Sequence, residues 1–327
     1  MSESARCHYR SSEGTPCENE IEEDGLCFWH SSSVDKKGMM LKEKLEVYAQ
    51  SGGLLQGLQL KHANLEGINL VCHGLKNGYD LSGSDLYRAN LRGAHLFNVT
   101  LDHGSLMKAD LSGANLHFGK FRETNMLGVN LEGSKIDHID IGRKLSQEIQ
   151  GAHAQSNGST TEAIDLYEQA EEIFRNLRKS AEQQGLYALG GDYIRRELTM
   201  RRYCYPLFSF NRLKSKSVDI FCGYGESPGN VVLFSLALIF VCACLYFLLG
   251  LSFEDEIIIL DVSNQTLLEN ARNFLMSLYF SIVTFTTLGY GDVTPVGGAR
   301  AVAALEAFAG GFTLALFVVV FVKKMTR

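Results

Sequence analysis

Hydrophobic positions change their rhythm along the chain. Between Leu55 and Ile141 they recur every five residues. Leu60, Leu65, Leu70 and Leu75 come first. After a one-residue slip the series continues at Leu81, Leu86, Leu91, Leu96, Leu101, Leu106, Leu111, Leu116, Phe121, Met126, Leu131, Ile136 and Ile141. Two residues before many of these stands a small side chain, as at Ala63, Ser84, Ala89, Ala94, Gly104, Ala109, Ala114 and Gly119. Asn or Asp often lies between, as at Asn64, Asp85, Asn90, Asp110 and Asn115. A period of five fits neither a helix nor an amphipathic strand.

Elsewhere the period is helical. Asp35–Gln50 reads as a helix closed by Gly52-Gly53. After a polar linker around Gln150–Thr160, Ala163, Leu166, Tyr167, Ala170, Ile173, Phe174 and Leu177 keep one face of a longer helix. Gly185 breaks it, and Leu186–Tyr205 forms a second helix that stops at Pro206. A helical hairpin is the simplest reading. Its basic end, Arg195 to Arg202, faces either anionic lipid or water.

Periodicity then gives way to long apolar runs. Val231–Leu251 carries no charge, and at about 1.5 Å per residue it reaches roughly 31 Å, enough to cross a bilayer core. Ser227 and Pro228 just before it read as helix cap and first helical residue. Ala301–Val322 is a second run with Glu306 as its only charge. The alternative, two buried core helices, is rare for runs so long and apolar. Ala271–Phe285 between them is too short to span and reads as re-entrant.

Composition changes this picture little. The chain has 327 residues, 46% hydrophobic, with net charge −6 and mean hydropathy −0.02. Taken alone these averages describe a soluble protein of two or three domains. They argue against a disordered chain and a basic nucleic-acid binder. Eight Cys are too sparse for a disulfide scaffold, and the polar Met1–Arg10 does not read as a signal peptide. Charge is informative where it is local. Arg195, Arg196, Arg201, Arg202, Arg212, Lys214 and Lys216 precede the first span, and Lys323, Lys324 and Arg327 follow the second. Glu254, Asp255, Glu256, Asp261 and Glu269 outnumber Arg272 and Arg300 between them. The positive-inside rule places both termini in the cytoplasm of a cell (inner) membrane protein with two spans. No nucleophile–base pair or cofactor loop stands out, so an enzyme is not expected.

The re-entrant helix leads into Thr286-Thr287-Leu288-Gly289-Tyr290-Gly291-Asp292. Irregular backbone at membrane depth must line a water-filled path or be buried in protein. Gly289 and Gly291 allow positive φ, so successive carbonyls can point one way and replace a cation's hydration shell. Gly223-Tyr224-Gly225 is a decoy: no apolar pore helix or Thr pair precedes it, and it reads as a turn.

Gly225–Lys324 resembles the two-transmembrane potassium-channel pore family, whose filter T-[VIL]-G-Y-G-D matches Thr287–Asp292. The resemblance implies an all-α pore with a re-entrant pore helix and a homotetramer in a lipid bilayer. The carbonyls of Thr287, Leu288, Gly289 and Tyr290 would then bind dehydrated K⁺, with Gly291 and Asp292 completing the filter. The family's gating-hinge glycine falls at Gly311, next to Gly310, where close helix packing is the competing reading. There are two departures. Tyr279 and Phe280 stand where many members carry paired Trp, and Val283 stands where some carry a Glu, leaving Asp292 without that partner. Glu306 is expected to be either functional or a structural contact behind the filter.

The period-five segment resembles pentapeptide-repeat proteins, whose motif A-[DN]-L-x-x is intact at Ala89-Asn90-Leu91, Ala109-Asp110-Leu111 and Ala114-Asn115-Leu116. That family's fold is a right-handed quadrilateral β-solenoid with four repeats per coil. Seventeen units imply about four coils and a rod of roughly 20 Å. The extra residue near Lys76–Asp80 is expected as a bulge or corner loop. Basic and acidic residues balance from Ser51 to Gln150, so mimicry of DNA is not expected, and no nucleic-acid partner is. A surface for a protein partner or for dimer contact is.

Cys7, Cys17, Cys27 and His30 form the pattern C-x9-C-x9-C-x2-H. The spacing of Cys27 and His30, and the Cys₃His set, suit a structural Zn²⁺ knuckle in a reducing compartment. Free thiols, a disordered tail, or His8 as a rival ligand remain alternatives.

The expected order is a zinc knuckle (1–34), a capping helix (35–53) over the open solenoid end, the solenoid (54–142) and a helical hairpin (143–206). A pre-membrane linker (207–230), first span (231–251), external loop (252–269), pore helix with filter (270–292) and second span (299–322) follow. The expected function is passive K⁺ conduction, regulated through the residues upstream of the pore. A non-selective cation channel, or a membrane-anchored scaffold with a vestigial pore, is the alternative.

Overall fold

The structure is a computed structural model that describes residues 6–22, 24–36, 38, 40–72, 77–254, 256–260 and 265–326. The chain forms two compact units, Met1–Arg212 and Leu213–Arg327.

In the first unit, residues 6–20 form a small hairpin with antiparallel bridges Arg6–Glu20 and Arg10–Pro16. A helix α1 (Leu41–Gln50) follows and buries Leu41, Leu45 and Ala49. Gly52, at φ 80°, turns the chain out of it, and the Gly53 N–H donates to the Tyr48 carbonyl.

The repeats then stack as coils. Each coil joins the next through single parallel bridges, as in Asp85–Ser105 and Ser105–Asn125. The central Leu donates its N–H across the gap (Leu86 N to Ser105 O, 2.8 Å). Two residues after most central apolar residues the backbone is left-handed, at Gly83, Gly93 and Gly113 but also at Arg88, Lys108 and Phe118. Each unit is thus a tight turn with φ > 0 at its third residue. A non-glycine residue pays about 1–2 kcal/mol there, and the inter-coil hydrogen bonds hold it in place. The small residues are needed for space. A Cβ on Gly119 would lie 2.6 Å from the Phe121 ring, so the largest side chain on the axis sits beside a glycine. The leucines leave a void of only about 10 Å³ on the axis, too small for a ligand.

One part of the expected register is corrected. Asn64 meets Asn90 at an offset of 26 residues, whereas Asp110 meets Asn130 at an offset of 20. Asn69 and Asp80 bridge on consecutive sides, to His95 and Thr100. The unit expected at Leu75, together with the one-residue slip, is therefore a single insertion between two sides. Leu75, and Lys76 of the expected bulge, lie outside the described residues.

Both ends of the solenoid are covered. At the first, Gln59 donates its N–H to the Trp29 carbonyl and Leu45 enters the leucine axis. At the second, α2 (Ser146–Ser156), α3 (Thr160–Gln183) and α4 (Tyr187–Tyr203) pack together. The polar linker expected near Gln150–Thr160 is thus mostly helical. Ser180 Oγ donates to the Leu131 carbonyl, and Gln184 Oε1 accepts from the Ile136 N–H. These bonds satisfy edge groups that would otherwise recruit another strand. Several arginines expected to face lipid or water instead knit the helices. Arg196 pairs with Glu148, and Arg201 pairs with Glu171 and the buried Glu197.

The second unit opens within α5 (Phe210–Cys222), a helix in the expected pre-membrane linker. Gly223–Gly225 is one 3₁₀ turn. Pro228 starts α6 (Pro228–Leu249) behind Ser227, whose side chain makes no capping bond. After α6, β1 (Leu251–Phe253) pairs with β2 (Glu256–Ile258), so the expected external loop is partly a hairpin. Helix α7 (Leu267–Phe285) is capped by Thr266 and Glu269. The chain beyond the 286–292 segment forms β3 (Val293–Pro295) on the free edge of β1. Helix α8 (Ala299–Met325) follows. Helices α6, α7 and α8 pack on one another, and α6 and α8 are long and apolar enough to cross a membrane.

Candidate functional site: pore segment and cysteine–histidine cluster

The segment after α7 has a backbone of alternating hand. Thr287, Gly289 and Gly291 have φ of 59°, 55° and 79°. Left-handed residues at every second position let neighbouring carbonyls face the same side. Glycine takes this conformation without strain, whereas Thr287 is a threonine held in a region few side chains visit. Its N–H donates to the Thr284 carbonyl and the Leu288 N–H to the Val283 carbonyl, both at 3.0 Å. These bonds anchor the start of the segment on the helix end.

The other end is anchored by a side chain. Tyr279 Oη donates to Asp292 Oδ2 at 2.8 Å. Asp292 lacks the Glu partner, as expected from Val283, but it has another in Tyr279. Val283 cannot serve it, but the tyrosine one turn earlier on α7 reaches it. Phe280 does not join this brace, because its ring packs edge-on against Tyr246 with centroids 4.8 Å apart. Tyr279→Phe is expected to assemble normally yet to quicken the decay of current several-fold under sustained recording. Unchanged decay would remove the brace from the mechanism.

Behind the segment the three helices meet at Glu306, which is 2% exposed. Tyr246 Oη of α6 donates to its Oε2 at 2.6 Å, and Ser281 Oγ of α7 lies 2.5 Å from its Oε1. One turn on, Gly310 is buried, and a Cβ there would lie 2.1 Å from the Phe285 carbonyl. Gly311 has open space around the same position. At the far end of α8, Lys323 pairs with the buried Glu226 at 2.5 Å.

In the first unit, Cys7, Cys17, Cys27 and His30 are all buried, with their ligand atoms within 4.8 Å of one another. The hairpin sets Cys7 and Cys17 side by side (Cys7 N to Asn19 O, Cys17 N to Tyr9 O). The tight turn Cys27–His30 supplies the other two. His30 aims Nδ1 at the cluster, 3.2 Å from Cys27 Sγ, and its Nε2 contacts the Gln56 carbonyl at 3.0 Å. That second contact fixes ring and tautomer as around many metal ions. Burial pushes Cys17 up to about 12. Burial also raises Cys27, but the His30 side chain and the backbone N–H groups of His30 and Trp29 outweigh it and bring the thiol down to about 6. The set fits tetrahedral zinc by donor type and count. Periodicity and spacing had singled out these four residues. The family resemblance singled out Tyr279 but not its bond to Asp292, and nothing in the sequence revealed Tyr246, Ser281 or Gln56, which act through folded distance.

An ion-channel family model matches residues 231–327, and pentapeptide repeats match residues 78–113 and 109–142 in eight copies. Among solved structures, HetL is a pentapeptide repeat protein involved in heterocyst differentiation regulation in the cyanobacterium Nostoc. It is 29% identical over 25% of this chain and 38% of its own length, with a TM-score of 0.15. A second pentapeptide repeat protein of Nostoc, alr5209, is 31% identical over 29% of this chain and 74% of its own, with a TM-score of 0.19. One from the cyanobacterium Cyanothece is 20% identical over 31% and 96%, with a TM-score of 0.15. The chain thus spans well under half of HetL. No curated protein matches the chain. Residues 231–327 thus carry an ion-channel domain of the two-transmembrane type, and a pentapeptide-repeat domain precedes it.

Proposed function

We propose that four copies of the chain form a K⁺-selective channel. The observation that carries this reading is the left-handed backbone at Thr287, Gly289 and Gly291, held between the end of α7 and the Tyr279–Asp292 bond. In the tetramer the carbonyls of Thr287, Leu288, Gly289 and Tyr290 replace the water around K⁺, and ions pass between adjacent sites without covalent chemistry. Gly291 and Asp292 complete the filter. Gly311, free of contacts at its Cβ position, serves as the hinge, while Gly310 is a packing glycine. Both termini lie in the cytoplasm of a cell (inner) membrane, where the right-handed solenoid offers its sides to a partner. There, Cys7, Cys17, Cys27 and His30 hold one structural Zn²⁺.

Bilayer recordings of the purified full chain test the conducting role. Under opposed K⁺ and Na⁺ gradients, the reversal potential is expected to follow K⁺. A reversal indifferent to the two ions would favour the non-selective channel, and the absence of current would favour the scaffold.

A further inference from the structure

We infer that Glu306 is a positioning residue for the filter and works as a neutral carboxylic acid that donates a hydrogen bond to Ser281. The inference rests on the conducting reading above, but one of its tests does not.

Proton counting carries the first step. Ser281 Oγ lies 2.8 Å from the Ile239 carbonyl and 2.5 Å from Glu306 Oε1. A serine hydroxyl has one proton, and both neighbours are acceptors when Glu306 is ionised. A protonated Glu306 resolves this. Its hydroxyl donates to Ser281 Oγ, Ser281 donates to the Ile239 carbonyl, and Oε2 accepts from Tyr246. Every group then has a partner. The groups facing the carboxyl are uncharged: the Tyr246 hydroxyl and the Cys242 thiol from α6, and the Ser281 hydroxyl from α7. An ion buried among uncharged groups at membrane depth is costly, and a neutral acid avoids that cost.

The second step is mechanical. The network ties α8 to α7 and to α6 at one point, all of it buried. Four residues after Glu306, Gly310 sits against the Phe285 carbonyl at the end of α7. Thr287 and Leu288 hang from Thr284 and Val283 on that same helix end. Glu306 therefore sets the height and rotation of the helix from which the filter starts. It touches no ion and acts through Ser281.

Glutamine is the isostere of a neutral acid, able to donate to Ser281 and accept from Tyr246. In bilayers, tetrameric Glu306→Gln is expected to keep the K⁺/Na⁺ permeability ratio within about twofold. Glu306→Leu, which can do neither, is expected to lower it about tenfold, the scale of a lost buried hydrogen bond. Glu306→Gln failing as badly as Glu306→Leu would show that a charge is required and overturn the inference, as would a Glu306→Leu channel of unchanged selectivity. The independent arm is the infrared difference spectrum of full-length wild type minus Glu306→Gln. It is expected to contain the carbonyl band of a protonated acid, and a carboxylate band in its place would overturn the proton assignment even if no current were measured.

Discussion

Gly289→Ala is expected to abolish K⁺-selective current while leaving the assembled protein intact. Gly289 has φ 55° and open space beside it, so the obstacle is backbone conformation and not crowding. A side chain at that φ costs about 1–2 kcal/mol in each copy, and a filter made of four copies bears that cost four times in one ring. Relief comes by rotating the peptide, which turns a carbonyl away from the ion. One missing oxygen ring leaves dehydrated K⁺ without the ligands that replace its hydration shell there. Flux into liposomes and size-exclusion elution, measured on the same preparation, check this. A variant that elutes as wild type and still reverses at the K⁺ potential would sink the filter assignment.

Metal removal is the second large effect. The purified full chain is expected to hold about one zinc per copy, with structural zinc binding worth about 10–16 kcal/mol in small domains. Cys27→Ser is expected to lose it. Cys27 sits at the centre of the cluster: its Sγ is 3.7 Å from Cys17 Sγ and 3.2 Å from His30 Nδ1, and its N–H donates to Cys7 Sγ. The consequence should spread. His30 holds the Gln56 carbonyl and Trp29 holds the Gln59 N–H, so losing the knuckle bares the first edge of the solenoid. Limited proteolysis should then cut within the first 60 residues or so, in the variant and in chelator-treated wild type alike. A metal-free wild type that resists protease would refute the zinc reading.

Much of this molecule was legible before folding because its strongest signals are periodic or local. A leucine every fifth residue points to a stack of coils, an uncharged run and a run with one charge point to two spans, and Thr287–Asp292 offers a candidate filter in six consecutive residues. What was not legible shares a cause. The sequence period runs on past Leu70 with a one-residue slip, and only pairing between coils exposes the offset of 26 residues against 20. Val283 leaves Asp292 without a Glu, and only the folded distance shows that the Tyr279 hydroxyl reaches it instead.

Sequence alone determined the order of a cysteine–histidine segment, a repeat domain and an ion-channel domain, and it singled out the candidate filter residues and the Cys₃His set. These depend on spacing along the chain, and spacing survives without coordinates. The tertiary structure decided which groups brace those residues: Tyr279 on Asp292, Ser281 and Tyr246 on Glu306, Gln56 on His30, and Gly310 against Phe285. Each joins positions distant in the chain through a hydrogen bond or contact shorter than 4 Å. Forces of that range leave no period in a sequence, so they became visible only when packing brought the partners together.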